Sequence, residues 1–149
     1  MFSSVTDEWA TPQQFYNHLS ESHNFTLDPC ALAASAKCSN WFGPDHPDVT
    51  KRDGLVLDWA DHADGGVVFM NPPYGRTIGV WVAKAAATAA AGTTVVCLLP
   101  ARTDTRWFHD YCMGHEVEFL RGRLKFGEAK NAAPFPSMVV VMRPIEGDE

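Results

Sequence analysis

Residues 66–100 read GVVFMNPPYGRTIGVWVAKAAATAAAGTTVVCLLP, and three adjoining segments in this stretch decide the fold. "GVVFM" (Gly66 to Met70) and "TTVVCLLP" (Thr93 to Pro100) are continuous apolar runs without alternation, the pattern of strands buried on both faces of a parallel sheet. Between them, Ile78 to Ala91 has helix-forming composition and stops at Gly92, a residue suited to a helix C-terminus. The stretch therefore predicts a strand-helix-strand unit. One feature disturbs it: Asn71-Pro72-Pro73-Tyr74 ends the first strand abruptly, and two prolines continue neither a strand nor a helix.

Working outward, Thr11-Pro12 opens a predicted helix from Pro12 to about Ser22, with Phe15 and Leu19 spaced to share a face. "FTLD" (Phe25 to Asp28) is a strand candidate, and the small residues Ala31 to Ala36 suit a helix. A helix at about Asp104 to Met113 leads to "HEVEFL" (His115 to Leu120), and "SMVVVMRP" (Ser137 to Pro144) closes the pattern. The fold class expected is α/β, a three-layer sandwich with a mostly parallel sheet and an antiparallel strand near the C-terminus. Ligands in such sheets bind beyond the carboxyl ends of the strands, where Asp28, Asn71 and Pro100 fall.

The chain of 149 residues suits a single domain, residues 1–149. Its apolar content of 46%, nine Phe and five Trp are those of a globular protein. The longest apolar-looking run contains Lys84 and is too short to cross a bilayer, and no basic-then-apolar leader precedes Ser22. A soluble, cytoplasmic protein with no membrane partner is expected, monomeric or weakly dimeric. Cys30, Cys38, Cys97 and Cys112 form no C-x-x-C pair, which suggests buried reduced thiols and no metal site. The formal net charge of −6 argues against coating nucleic acid through bulk electrostatics. Six of the twelve basic residues nevertheless fall between Ala101 and Lys130, so any nucleic-acid contact is local.

The chemistry of Asn71 to Tyr74 follows from what the four residues do together. Pro72 fixes its own φ and Pro73 restrains Pro72, so the direction of the Pro72 carbonyl is set. That carbonyl and the Asn71 side-chain oxygen make two acceptors, a match for the two hydrogens of an amino group. Binding both hydrogens of an aromatic amine favours a pyramidal nitrogen with an available lone pair, and no strong base is needed.

"NPPY" after an apolar strand resembles motif IV of S-adenosylmethionine-dependent amino-methyltransferases. The surroundings resemble the phage-type (Dam-type) DNA adenine methyltransferases from about Glu8 to Arg143, through "EWATPQQFY", "FTLDPCALAASAKC", "RDGLVLDW", "VFMNPPYG", "VVCLLPARTDTRWFH", "GRLKFG" and "PFPSMVVV". The resemblance implies a compact Rossmann-like methyltransferase domain without a separate target-recognition domain, S-adenosyl-L-methionine as cofactor, and transfer of methyl to the 6-amino group of adenine in DNA. Asn71, Pro72, Pro73 and Tyr74 would form the catalytic loop, with Tyr74 stacking on an extruded base. Asp28, Pro29, Cys30 and Ala31 would form the cofactor loop, with Asp53 on the cofactor's adenine, Thr11-Pro12 over its methionine end, and Asn71 also counted among the cofactor-binding residues. General methyltransferases place a G-x-G in the cofactor loop, and "DPCALAASA" has no glycine. Asp45 and Asp48 are candidates for the cofactor ribose, and Asp58-Trp59 for the pocket wall. His109 reads as a structural histidine on a helix face.

With no chain left over for a recognition domain, DNA contact is expected from "PARTDTRW" (Pro100 to Trp107) and "GRLKFGEAKNAAPFP" (Gly122 to Pro136). Arg102, Arg106, Arg123 and Lys125 are phosphate candidates, and Trp107 and Phe126 candidates to stack or wedge. Recognition of so little surface implies loose or very short sequence specificity. Two other readings stand beside this one. Glutamine methyltransferases acting on release factors also use N-P-P-Y, and a domain that binds nucleic acid or cofactor without turnover suits the missing glycines and acidic balance.

Overall fold

The computed structural model describes residues 10–127 and 132–145. In chain order, α1 is Gln13–Ser20, β1 Phe25–Leu27, α2 Trp59–His62, β2 Val67–Met70, α3 Ile78–Ala90, β3 Val95–Pro100, β4 Glu116–Phe119 and β5 Ser137–Met142. They build one five-stranded sheet in the order β1-β2-β3-β5-β4. β1, β2 and β3 run parallel, while β5 is antiparallel to both β3 and β4. The strand-helix-strand unit and the antiparallel C-terminal strand are both as the sequence pattern predicts.

Successive residues of the central strands point to opposite faces, and each face has its own cover. On one side Val68, Met70, Val95, Cys97, Leu99 and Val140 pack with Ile78, Trp81, Val82, Ala85 and Ala89 of α3. The spacing of those five residues is helical, and the alanines let the helix lie close to the sheet. On the other side Phe69, Val96, Leu98 and Val139 pack with Tyr16, Phe15 and Leu19 of α1. Every residue of β3 is buried, which explains its unbroken apolar run. Gly92, just past α3, takes φ +122°, a region that favours glycine.

Two expectations need correction, and one element was not foreseen. Residues 31–36 form turns and no helix. Their amides are drawn elsewhere: Ala31 N–H donates to the Phe42 carbonyl, and the Leu32 and Ser35 groups bond each other across a tight turn. The helix at 104–113 is shorter, residues 106–112, and widens to π geometry over Phe108–Cys112. α2, which the pattern did not suggest, is four residues capped by the Asp58 carboxylate, which accepts the Asp61 N–H.

The topology gathers one edge of the sheet. The three parallel strands deliver Asp28, Asn71 and Ala101 to the same side. β5 begins there, since Ser137 is opposite Pro100, and Ala101 N–H donates to the Pro136 carbonyl. β4 ends there too, with Leu120 N–H donating to the Ser137 carbonyl. Both segments rich in arginine therefore start or finish at the edge that carries Asn71.

Candidate active site

A cleft of about 990 Å³ opens at this edge, at the upper end of the range usual for small-molecule sites. It is lined by Thr11, Pro12, Asp28, Pro29, Cys30, Ala31, Asp53, Asn71, Pro72 and Pro73. Three separate segments, residues 11–12, 28–31 and 53, thus meet the Asn71 loop around one space. Gln13, Lys37, Gly43, Pro44, Gly54 and Trp81 also line it. None of these was singled out from the sequence; the glycines Gly43, before Pro44, and Gly54, beside Asp53, were the one signal available.

Asp28 is 3% exposed. Its Oδ2 accepts the Lys37 backbone N–H at 3.0 Å, and burial pushes its carboxyl up to about 6, against the opposing backbone hydrogen bonds. An opposite charge placed beside such a carboxyl would favour its ionised form. The stability consequence has a definite sign. Between about pH 4 and 6 the folded chain holds a proton that the unfolded chain has lost, so this group's contribution to stability falls as pH rises through that window.

The loop after β1, residues 28–36, manages without glycine for a geometric reason. Asp64 is the non-glycine residue with positive φ among the described residues, so no alanine of residues 31–36 needs that conformation. Close approach is supplied from outside the loop. A Cβ on Gly43 would lie 1.7 Å from the Ala31 carbonyl oxygen, and one on Gly54 would lie 2.0 Å from that of Pro29. The loop lies directly against two glycine backbones.

Asn71 is half-buried, and its Nδ2 donates to the Thr11 Oγ1 at 2.9 Å. Tyr74 is placed differently from the expectation of a ring facing the ligand. It is 3% exposed, its phenol donates to the Leu98 carbonyl at 3.3 Å, and its ring meets Phe126 and Phe135 edge-on at 6.3 and 5.5 Å. Burial holds the phenol well above its ordinary pKa, so it stays neutral. Trp107 and Phe126, expected at a DNA surface, are also core residues at 9% and 3% exposure. Trp107 packs against Gly79 in α3. Both rings anchor their loops from beneath, because small exposed loops need apolar ballast to hold their shape.

Arg102, Arg106, Arg123 and Lys125 are exposed, and the Arg123 guanidinium donates to the Ala133 carbonyl at 3.4 Å. That bond, with Ala133 N–H to the Leu124 carbonyl at 2.7 Å, ties the two arms of the 122–136 loop together. Gly127 N–H donates to the Ala10 carbonyl at 2.8 Å, which seats this loop against the cleft. Lys130 lies outside the described residues. Asp45 and Asp48 do not line the cleft; their carboxylates accept the backbone N–H groups of Ala33 and Thr50. Asp58 caps α2, and Trp59, 1% exposed, donates to the Gly54 carbonyl, so this pair supports the wall from behind. The His109 ring bonds the Thr103 carbonyl at 2.8 Å, a structural tie. All four cysteines are free thiols. Among the described residues no group of side chains is arranged to hold a metal, and no helix is long and apolar enough to cross a membrane.

Comparison with known proteins adds two findings. A family model described as DNA N-6-adenine-methyltransferase (Dam) matches residues 1–149. A relative from Haemophilus phage HP1 (strain HP1c1), named DNA N-6-adenine-methyltransferase, is 28% identical over 151 residues, covering 95% of this chain and 81% of the relative.

Proposed function

Because this chain belongs to the DNA N-6-adenine-methyltransferase (Dam) family, we propose that it transfers a methyl group from S-adenosylmethionine to the 6-amino group of an adenine flipped out of DNA and held at Asn71. The observation that carries this reading is the convergence of Asn71-Pro72 with residues 11–12, 28–31 and 53 on one cleft. Its chemistry fits that cofactor. A buried carboxylate, Asp28, is present for an ammonium, the Pro44 and Trp81 side chains offer apolar wall, and Asp53 stands exposed at the mouth. Family members generally use S-adenosylmethionine, which supplies an electrophilic methyl on a sulfonium.

The rest of the work is done by this chain's own residues. Extruding a base costs a few kcal/mol, and the site recovers it through contacts to the base. The Asn71 side-chain oxygen and the Pro72 carbonyl accept the two hydrogens of the amine, which frees its lone pair and aims it. In-line transfer then depends mainly on alignment. Tyr74, buried against Phe126 and Phe135 and bonded to the Leu98 carbonyl, supports the loop that follows Asn71 from beneath. Arg102 and Arg106, beyond β3, and Lys125 meet phosphate, with Trp107 and Phe126 acting through the loops they anchor.

Incubation with methyl-labelled cofactor and unmodified DNA, followed by digestion, tests the reading: 6-methyladenine is the expected product. Label on glutamine of a protein substrate and none in DNA would replace it with amide methylation, and cofactor binding without transfer would make the domain non-catalytic.

Two further outcomes are expected. Affinity for S-adenosylhomocysteine, whose ammonium pairs with Asp28, should weaken below about pH 6 as the carboxyl takes a proton, approaching about tenfold per pH unit. Asp28→Asn should bind weakly with a flat profile over the same range; a profile as steep as wild type would move the titration to another group. Arg102→Ala should weaken binding to all DNA sequences alike and lower the salt slope by about 1. An unchanged slope would take Arg102 off the phosphate contacts.

A further inference from the structure

The segment that follows β1 puts two groups of opposite charge into the cleft without pairing them. Lys37 stands nine residues after Asp28, and its backbone N–H donates to the Asp28 Oδ2 at 3.0 Å. Its side chain goes elsewhere: Nζ donates to the Gln13 Oε1 at 2.9 Å. The ion pairs among the described residues are His18–Glu21 and Arg143–Glu116, so the Lys37 ammonium and the Asp28 carboxyl stay separate. Both residues line the cleft, as does Gln13.

The ammonium is held in place from two directions. Asp28 fixes the Lys37 backbone, and Gln13, at the start of α1, fixes the Nζ while its own Nε2 donates to the Asn17 Oδ1 at 2.8 Å, one turn further along the helix. Lys37 is half-buried, and that burial pulls its ammonium down from the ordinary lysine range, against the opposing charge of Asp28. A cation that has given up part of its water for a neutral amide oxygen gains from a carboxylate, because a hydrogen bond between charged partners is shorter and stronger than a neutral one. Arg52 also lines the cleft, but it neighbours Asp53 in the chain and its Nε is committed to the His46 carbonyl at 2.7 Å.

We infer that the cleft receives an α-amino acid end as a zwitterion, with the ammonium at Asp28 and the carboxylate at the Lys37 Nζ, so that Lys37 selects ligands that carry the carboxylate. The inference rests on the methyltransferase reading above, whose cofactor ends in an α-amino acid. It adds to that reading a specific second pole, supplied by a residue outside every motif of the sequence.

Decarboxylated S-adenosylmethionine separates this role from others, because it keeps the adenosine, the sulfonium and the ammonium and lacks the carboxylate. By calorimetry, wild type should bind S-adenosylmethionine roughly 10- to 30-fold more tightly than the decarboxylated compound. Lys37→Met keeps the stem and the backbone N–H on Asp28 and removes the ammonium. Its preference should shrink below about threefold, through weaker binding of S-adenosylmethionine and no weakening for the decarboxylated compound. A preference as large in Lys37→Met as in wild type, or an equal fall for both compounds, would overturn the inference. Loss of DNA affinity in Lys37→Met with the preference intact would also overturn it, by placing the ammonium on phosphate. Thermal unfolding checks that the variant folds, and Lys37→Gln replaces Lys37→Met if methionine does not. The readout is binding and does not need turnover. A wild type that shows the preference but methylates no adenine would support Lys37 in this role and count against the proposed reaction, whereas a wild type that binds neither compound would overturn both.

Discussion

Asn71→Ala is expected to lower kcat for adenine methylation by roughly 10²- to 10³-fold, the usual consequence of removing one fixed polar group from a reacting centre. The Pro72 carbonyl remains as a single acceptor, so the amine can bind but is no longer held by both hydrogens. Affinity for S-adenosylhomocysteine should change little. Folding should change little too, because Asn71 is only half-buried and a side-chain hydrogen bond such as the one to Thr11 is worth about 1 kcal/mol net. The measurement is single-turnover methylation read as 6-methyladenine, beside calorimetric binding of S-adenosylhomocysteine. A variant that methylates at the wild-type rate would remove Asn71 from the reaction. A variant that merely loses cofactor affinity would move it to the cofactor wall.

Gly43→Ala and Gly54→Ala should be the most damaging small changes outside the Asn71 loop. Each added Cβ would run into a carbonyl oxygen, of Ala31 at 1.7 Å and of Pro29 at 2.0 Å, and Gly54 also faces the Trp81 ring at 3.0 Å. Backbone cannot step aside as a flexible side-chain tip can. Overpacking of this kind costs about 1–3 kcal/mol and sometimes more, or several degrees in Tm for a chain of this size, at roughly 2–4 °C per kcal/mol. The 28–31 loop is what must shift, so affinity for S-adenosylhomocysteine should fall with stability. Gly79→Ala is the contrast. Its nearest neighbour is the Trp107 Cβ at 3.6 Å, ordinary contact distance, and alanine in a helix is favoured over glycine by about 1 kcal/mol. Urea unfolding should rank the three accordingly. If Gly54→Ala proves as stable as Gly79→Ala, the loop is softer than the close contact implies.

The residues around the cleft differ in how legible they were. Thr11-Pro12, Asp28 to Ala31 and Asn71 to Pro73 were marked by motifs at the ends of predicted elements, Asp53 by the family resemblance, and all of them line the cleft. Lys37, Gln13 and Trp81 line it as well, with no local signal to mark them. Tyr74, Trp107 and Phe126 show the opposite case. Aromatic residues in loops beside basic ones read as surface contacts, yet each is buried, because the loops fold back onto Phe135 and α3. The run of alanines after Asp28 misled in a similar way. Its composition favours helix, and its amides are taken by Phe42 and Ser35 instead.

What the sequence by itself determined was the order of strand, helix and strand around residues 66–100, the two buried faces of the central strands, and the fixed carbonyl that follows Asn71. These rest on side-chain period and proline geometry, which act over a few residues and need no distant partner. Only the tertiary structure decided that Gly43 and Gly54 make room for the glycine-free loop, that Tyr74 is packed away beneath Phe126 and Phe135, and that Thr11 meets Asn71. Each of these depends on residues brought together from far apart in the chain, and the contact exists only once the sheet has put its strand ends on one edge.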